Sequence, residues 1–177
     1  NDNPSTPNCE NDREVCEDYT TVNASNPGIG EGVWTSTDGV TILTPSQNVC
    51  DVEDLIYGDN HFTWTLTNNS CSLEDYLIIT NNSVLANAGS DDNTCNDYYS
   101  LSAIDPLSVT PFFGTGQWST SGTQTFDSST DYQTSVRNLD PNTNILTWTV
   151  TEGSCTAESQ VQITNNGVVA TANADQT

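Results

Sequence analysis

The strongest constraint on this chain is a segment that it contains twice. Phe62-Thr63-Trp64-Thr65-Leu66-Thr67 leads through Asn68-Asn69-Ser70 to Cys71, and Leu146-Thr147-Trp148-Thr149-Val150-Thr151 leads through Glu152-Gly153-Ser154 to Cys155. Large apolar side chains alternate with threonine. Successive side chains of an extended strand point to opposite faces, so Phe62, Trp64 and Leu66 share one face and the threonines the other. This is the pattern of a half-buried β-strand, on which tryptophan and threonine are both favoured. Trp64 and Trp148 lie 84 residues apart, and the same spacing relates Trp34 to Trp118, Val52 to Val136, Leu55 to Leu139, Leu77 to Val161 and Ile79 to Ile163. Self-similarity at a fixed spacing makes the chain a tandem repeat before it is anything else.

The repeat divides the 177 residues into units close in size to a small β-sandwich. The expected domains are residues 1–84 with an N-terminal extension, residues 85–168, and residues 169–177 as a linker or the start of a third repeat. Upstream, Cys16 and Cys95 are only 79 residues apart. The change in spacing is assigned to a loop at Pro106–Gly114, since insertions belong in loops. Strands are expected at 18–24, 32–36, 41–43, 49–57, 61–67 and 72–80, and again at 98–103, 116–119, 123–126, 133–139, 144–151 and 156–164. Asn26-Pro27-Gly28, Asp38-Gly39 and Gly58-Asp59-Asn60 punctuate the first set as turns. No segment keeps a helical apolar period over several turns. The fold class is therefore all-β, with two tandem immunoglobulin-like or PKD-like β-sandwich domains in a bead-like array. Residues 1–15, rich in Asn, Asp, Pro and Ser, read as an extended entry.

Charge excludes several functions. Twenty-four Asp and Glu face Arg13 and Arg137 alone, for a formal net charge of −22, and there is no lysine. Such a surface repels nucleic acid and anionic lipid. Without lysine there is no Schiff-base chemistry, no phosphate-loop lysine and no Lys–Asn isopeptide staple. No apolar run is long enough to span a membrane. The chain begins with the polar Asn1-Asp2-Asn3-Pro4, so any export signal is expected outside this segment.

The six cysteines, Cys9, Cys16, Cys50, Cys71, Cys95 and Cys155, include no C-x-x-C pair. An even number in a short polar chain suggests disulfides and an oxidising compartment. Free buried thiols are the competing reading. Because Cys16 aligns with Cys95 and Cys71 with Cys155, the economical pairing is Cys16–Cys71 and Cys95–Cys155, one bond per unit and near one end of each sandwich. Cys9–Cys50 would then anchor the N-terminal segment.

Several segments together carry a family resemblance. They are Ala86-Asn87-Ala88-Gly89-Ser90-Asp91 leading to Cys95, Leu101-Ser102-Ala103, Gly114-Thr115-Gly116-Gln117-Trp118, Asn138-Leu139, the Leu146–Val150 strand, Cys155 and Val161-Gln162-Ile163-Thr164-Asn165-Asn166. The chain resembles the PKD-like or immunoglobulin-like repeats of very large Bacteroidetes surface proteins, the gliding-motility adhesin SprB and its relatives. The resemblance implies β-sandwiches exported by the type IX secretion system and displayed as an outer-membrane filament that grips the substratum. The first unit departs from the pattern: it lacks the Ala-Asn-Ala-Gly opening, adds Cys9 and Cys50, and has Gly30-Glu31-Gly32-Val33-Trp34 where the second has Gly-Thr-Gly-Gln-Trp.

Candidate sites are few. His61 is the sole histidine and reads as solvated, which leaves no Ser-His-Asp triad. Carboxylate pairs of the kind used in glycoside hydrolysis arise by chance in so acidic a chain. Asp91, Asp92 and Asp97, just after the unit boundary, are the candidate calcium ligands; solvated surface acids are the plainer reading, because the EF-hand spacing is absent. Trp34 and Trp118 could offer a sugar platform, but with Trp64 and Trp148 they read more simply as core. Asn23-Ala24-Ser25, Asn68-Asn69-Ser70 and Asn81-Asn82-Ser83 match the N-glycan sequon. The expected function is a non-enzymatic structural and adhesive repeat. Its partners would be neighbouring repeats, surface polysaccharide or substratum, and secretion and motility machinery acting through other parts of a longer protein. A carbohydrate-binding array, or a spacer in a secreted enzyme, is the alternative.

Overall fold

The computed structural model describes residues 3–108 and 111–168. In chain order the strands are β1 (Arg13–Val15), β2 (Thr20–Asn23), β3 (Glu31–Ser36), β4 (Thr41–Ile42), β5 (Val49–Glu53), β6 (Gly58–Asn68), β7 (Cys71–Asn81), β8 (Asp92–Thr94), β9 (Tyr98–Ser100), β10 (Thr115–Thr120), β11 (Thr125–Phe126), β12 (Ser135–Arg137), β13 (Asn142–Glu152) and β14 (Cys155–Asn165). Among the described residues the only helical element is a single 3-10 turn, Pro106–Ser108, in the loop where the second repeat is longer. The chain divides into two compact units. The first comprises residues up to Ser83 together with Glu152–Cys155; the second comprises Val84–Thr151 and the chain from Thr156. The linker or start of a third repeat expected at residues 169–177 lies outside the described residues.

Each unit is an immunoglobulin-like sandwich with the same topology. In the first, a four-stranded sheet of order β1-β7-β6-β3 faces a three-stranded sheet of order β2-β5-β4; in the second the corresponding sheets are β8-β14-β13-β10 and β9-β12-β11. The opening strand of each unit runs parallel to the last, with Val15 opposite Asn81 and Thr94 opposite Asn165. In the first unit this segment switches sheets on the way. Cys9 forms an antiparallel bridge to Ala24 and Glu10 N–H donates to Asn23 O, before Arg13–Val15 crosses to β7. Sequence reading places no strand at β1 or β8. Three polar residues on a sheet edge carry no apolar alternation, and only their pairing to a distant strand defines them.

The long hairpin β6–β7 carries the first core. Phe62, Trp64, Leu66, Leu77 and Ile79 are fully buried on its inner face and pack with Val22, Trp34, Val52 and Leu55. Leu146, Trp148, Val150, Val161 and Ile163 do the same with Leu101, Trp118, Val136 and Leu139. The register sets Trp34 opposite Trp64 and Trp118 opposite Trp148. Both pairs have ring centroids 5.1 Å apart and tilted planes, 44° and 47°. In antibody domains a tryptophan on the third strand packs against an intersheet disulfide; here it packs against a second tryptophan.

The recurring Gly-x-Trp follows from that packing. Gly32 and Gly116 lie two residues before Trp34 and Trp118, on the same strand face. A Cβ at Gly32 would overlap the six-membered ring of Trp64, and one at Gly116 would overlap that of Trp148. The glycine is the space that the neighbouring indole occupies.

Candidate functional site

The polar groups that recur between units hold backbone. Asn60 and Asn144 are almost completely buried. Asn60 Oδ1 accepts from Ile56 N–H, while its Nδ2 donates to the carbonyls of Ile56, Gly58 and Ile79. Asn144 Oδ1 accepts from Asp140 N–H and from Gln124 Nε2, and its Nδ2 donates to the carbonyls of Asp140, Asn142 and Ile163. Asn81 and Asn165 form a second pair, donating to Leu55 O and Leu139 O. Each amide closes the loop before the long hairpin by pairing backbone groups that burial would otherwise leave unpaired. These asparagines are absent from the sequence-derived candidates. The signal that could have found them is identity across the 84-residue spacing at polar positions flanked by core residues.

The acidic residues near the unit boundary are engaged in the same way. Asp91 Oδ1 accepts from Gln162 N–H at 2.8 Å, as Asp12 Oδ1 does from Ile78 N–H in the first unit, also at 2.8 Å. Asp92 accepts from its neighbour Asn93 N–H and from the Tyr99 hydroxyl. Asp97 supplies its backbone carbonyl to Leu139 N–H. The Tyr99 hydrogen bond, with help from Asn93 N–H, lowers the Asp92 pKa and correspondingly raises that of Tyr99. Asp91, Asp92 and Asp97, the expected calcium ligands, here hydrogen-bond to backbone groups and to the Tyr99 hydroxyl. They do not converge, and among the described residues no group of three or more His, Cys, Asp or Glu is placed to hold an ion.

The tryptophans are located in the core. Trp34, Trp64, Trp118 and Trp148 are each at most 2 % exposed, so none presents a ring face to a sugar. Trp34 and Trp118 donate their indole N–H to Asn48 O and Asp131 O, whereas those of Trp64 and Trp148 find no acceptor. His61 lies on β6 with its ring largely exposed, 3.1 Å from Asp38 Oδ2. The Asp38 pKa is lowered, mainly by the His61 backbone N–H. Arg137 forms a two-bond pair with Asp127, and Arg13 holds Thr20 Oγ1 and Thr21 O. Both cations thereby serve local structure.

The cysteines depart most from expectation. A single disulfide joins Cys16 to Cys155, with Cα atoms 5.3 Å apart, and Cys9, Cys50, Cys71 and Cys95 are free thiols. Strand direction explains the failure of the expected Cys16–Cys71 bond. Cys71 opens β7, whereas Cys16 follows Val15, whose partner Asn81 closes β7. The two cysteines are therefore separated by the length of an 11-residue strand, about 30 Å at the rise of extended chain. A disulfide needs Cα atoms within about 7 Å. Cys95 and Cys155 stand in the same relation across β14, where Thr94 opposes Asn165 and Cys155 is the opening residue. The cysteines lie at opposite ends of each sandwich, not near one end. The expected Cys9–Cys50 bond is also absent. Cys9 aligns with buried Ala88, and Cys50 with buried Thr134. Cys50 Sγ accepts from Thr44 N–H as Thr134 Oγ1 accepts from Ser128 N–H. Both thiols act as small core residues. Burial and the nearby Asp75 carboxylate push the Cys9 pKa up to about 12.

No protein-family model matches the chain, and no curated protein sequence matches it. Among solved structures it is similar to extracellular domains 3–5 of Drosophila OTK, with 14 % identity and a TM-score of 0.44 over 90 % of this chain and 59 % of that one. It is also similar to the I-band fragment I67–I69 from titin, with 11 % identity and a TM-score of 0.46 over 93 % of this chain and 67 % of that one. The chain spans about three-fifths of the OTK fragment.

Proposed function

We propose that this chain is a non-enzymatic, structural and adhesive segment of a longer array of immunoglobulin-like repeats displayed outside a bacterial cell. The observation that carries the reading is the duplication itself. One sandwich is built twice with the same tryptophan pair, the same buried asparagine clamps and the same aspartate clip, and the repeated polar groups hold backbone. A protein whose recurring features all build the scaffold gains its properties from repetition. The Cys16–Cys155 disulfide fits an oxidising compartment. A net charge of −22 keeps a long extracellular chain soluble. The resemblance described above supplies the finer part of the proposal: a filament of the gliding-motility adhesin type, delivered by type IX secretion, whose grip on polysaccharide or substratum resides in loops or in other segments.

Antibodies raised against this chain test the reading on intact cells of the organism that encodes it. Labelling without permeabilisation, together with loss of attachment or spreading when the gene is deleted, is the expected result. Labelling only after permeabilisation would overturn it.

A further inference from the structure

The disulfide and the repeat together point to partners for two of the free cysteines. Cys16 and Cys95 occupy one structural position, each following the strand that runs parallel to the last strand of its unit. Cys71 and Cys155 occupy a second position. Each opens the last strand after a tight turn containing a residue in the left-handed region, Asn69 at φ 55° or Gly153 at φ 54°. Within one sequence repeat the two positions lie about 30 Å apart and cannot bond. The bond that does form joins the first position of the first sequence repeat, Cys16, to the second position of the next repeat, Cys155. By the same rule Cys95 would require the second-position cysteine of a repeat further along, and Cys71 the first-position cysteine of a repeat before it. Cys95 is exposed and Cys71 is partly exposed, whereas Cys9 and Cys50 are buried.

We propose that Cys71 and Cys95 are the open ends of a disulfide ladder, each bonding a cysteine of an adjacent immunoglobulin-like repeat of the same type. The proposal rests on the array reading above. Formation is thiol–disulfide exchange with a small disulfide such as oxidised glutathione. One thiolate attacks and releases one glutathione thiolate. The second protein thiolate then attacks the mixed disulfide and releases the other. Two protein thiols are oxidised, one glutathione disulfide is reduced, and the thiol protons pass to the glutathione thiolates.

The experiment uses two full copies of the chain joined end to end, so that Cys95 of the first copy and Cys71 of the second are the missing partners. After equilibration in a glutathione redox buffer, remaining thiols are alkylated and disulfides are mapped by peptide mass spectrometry. The expected product contains both Cys16–Cys155 bonds and a third bond between Cys95 of the first copy and Cys71 of the second. Separate single chains provide the specificity arm: a mixture of C71S and C95S should give a heterodimer through Cys95 and Cys71, while either variant alone stays monomeric. Alkylatable Cys71 and Cys95 in the joined copies would overturn the proposal. Homodimers of a single variant that form as readily as the heterodimer would do so too, because they would show indiscriminate reaction of exposed thiols. The array reading fails separately, if the parent gene encodes no further repeats.

Discussion

Replacing Gly116 by alanine isolates the fit between the Gly-x-Trp strand and its neighbour. The added methyl would fall within the ring of Trp148, which is fully buried and already packed against Trp118 at 5.1 Å. Both indoles are buried and in contact with one another, so the cost should sit near the top of the overpacking range, about 3 kcal/mol. Gly116 does not have a positive φ, so alanine suits its backbone and regains about 0.4–1 kcal/mol by restricting the unfolded chain. The net loss is then about 2 kcal/mol, or a fall in Tm of roughly 8–16 °C for a unit of this size. Urea denaturation followed by tryptophan fluorescence measures the stability, and near-UV circular dichroism reports the tilted indole pair. Trp148→Leu provides the control. It is destabilising alone, but it removes the ring that the methyl strikes, so Gly116→Ala should cost far less in the W148L background than in the native one. An equal loss in both backgrounds would refute ring overlap as the cause, and a loss under about 0.5 kcal/mol in the native chain would show that the core yields at this point.

Other perturbations probe the remaining contacts. Asn144→Ala should destabilise the second unit by about 3 kcal/mol, because the Asp140 N–H and several buried carbonyls lose their partner; hydrogen exchange should show the 140–144 loop opening with that loss. The lowered Asp92 pKa contributes stability that is present above the ordinary carboxylate value of 3.8 and lost as pH falls through the folded value. The raised Tyr99 pKa contributes stability present below the ordinary value of 10 and lost as pH rises through the folded value. Tyr99→Phe should therefore weaken both pH dependences in denaturation curves recorded from acid to alkali, and unchanged curves would argue against the hydrogen bond. Intact-mass analysis with alkylation should find one disulfide and four thiols. Cys16→Ser should lower stability by about 4–5 kcal/mol, since the bond closes a loop spanning 139 residues.

The core and the duplication were legible in the sequence because both are one-dimensional. Alternating side chains define which residues turn inward, and the 84-residue spacing marks them twice, so Phe62, Trp64 and Leu66 and their counterparts could be assigned without coordinates. Gly32 and Gly116 were visible as a motif but not as a cause, since the ring that occupies their space belongs to an adjacent strand. Asn60 and Asn144 recur across the 84-residue spacing and Asp12 and Asp91 across the 79-residue one, but recurrence does not say what they bind. Their partners are backbone groups on other segments, and composition alone makes an aspartate look like a solvated acid or an ion ligand.

The sequence by itself determined that the chain is all-β, that it contains two copies of one sandwich, and which apolar residues fill each core. Only the tertiary structure decided which cysteines can meet. Alignment identifies equivalent cysteines but not the ends of the strands to which they belong. The short parallel strands β1 and β8 place Cys16 and Cys95 beyond the far ends of β7 and β14, while Cys71 and Cys155 open those strands. A disulfide forms over a few ångströms, so a strand length of separation rules out the pairing within a sequence repeat that symmetry had made the simplest.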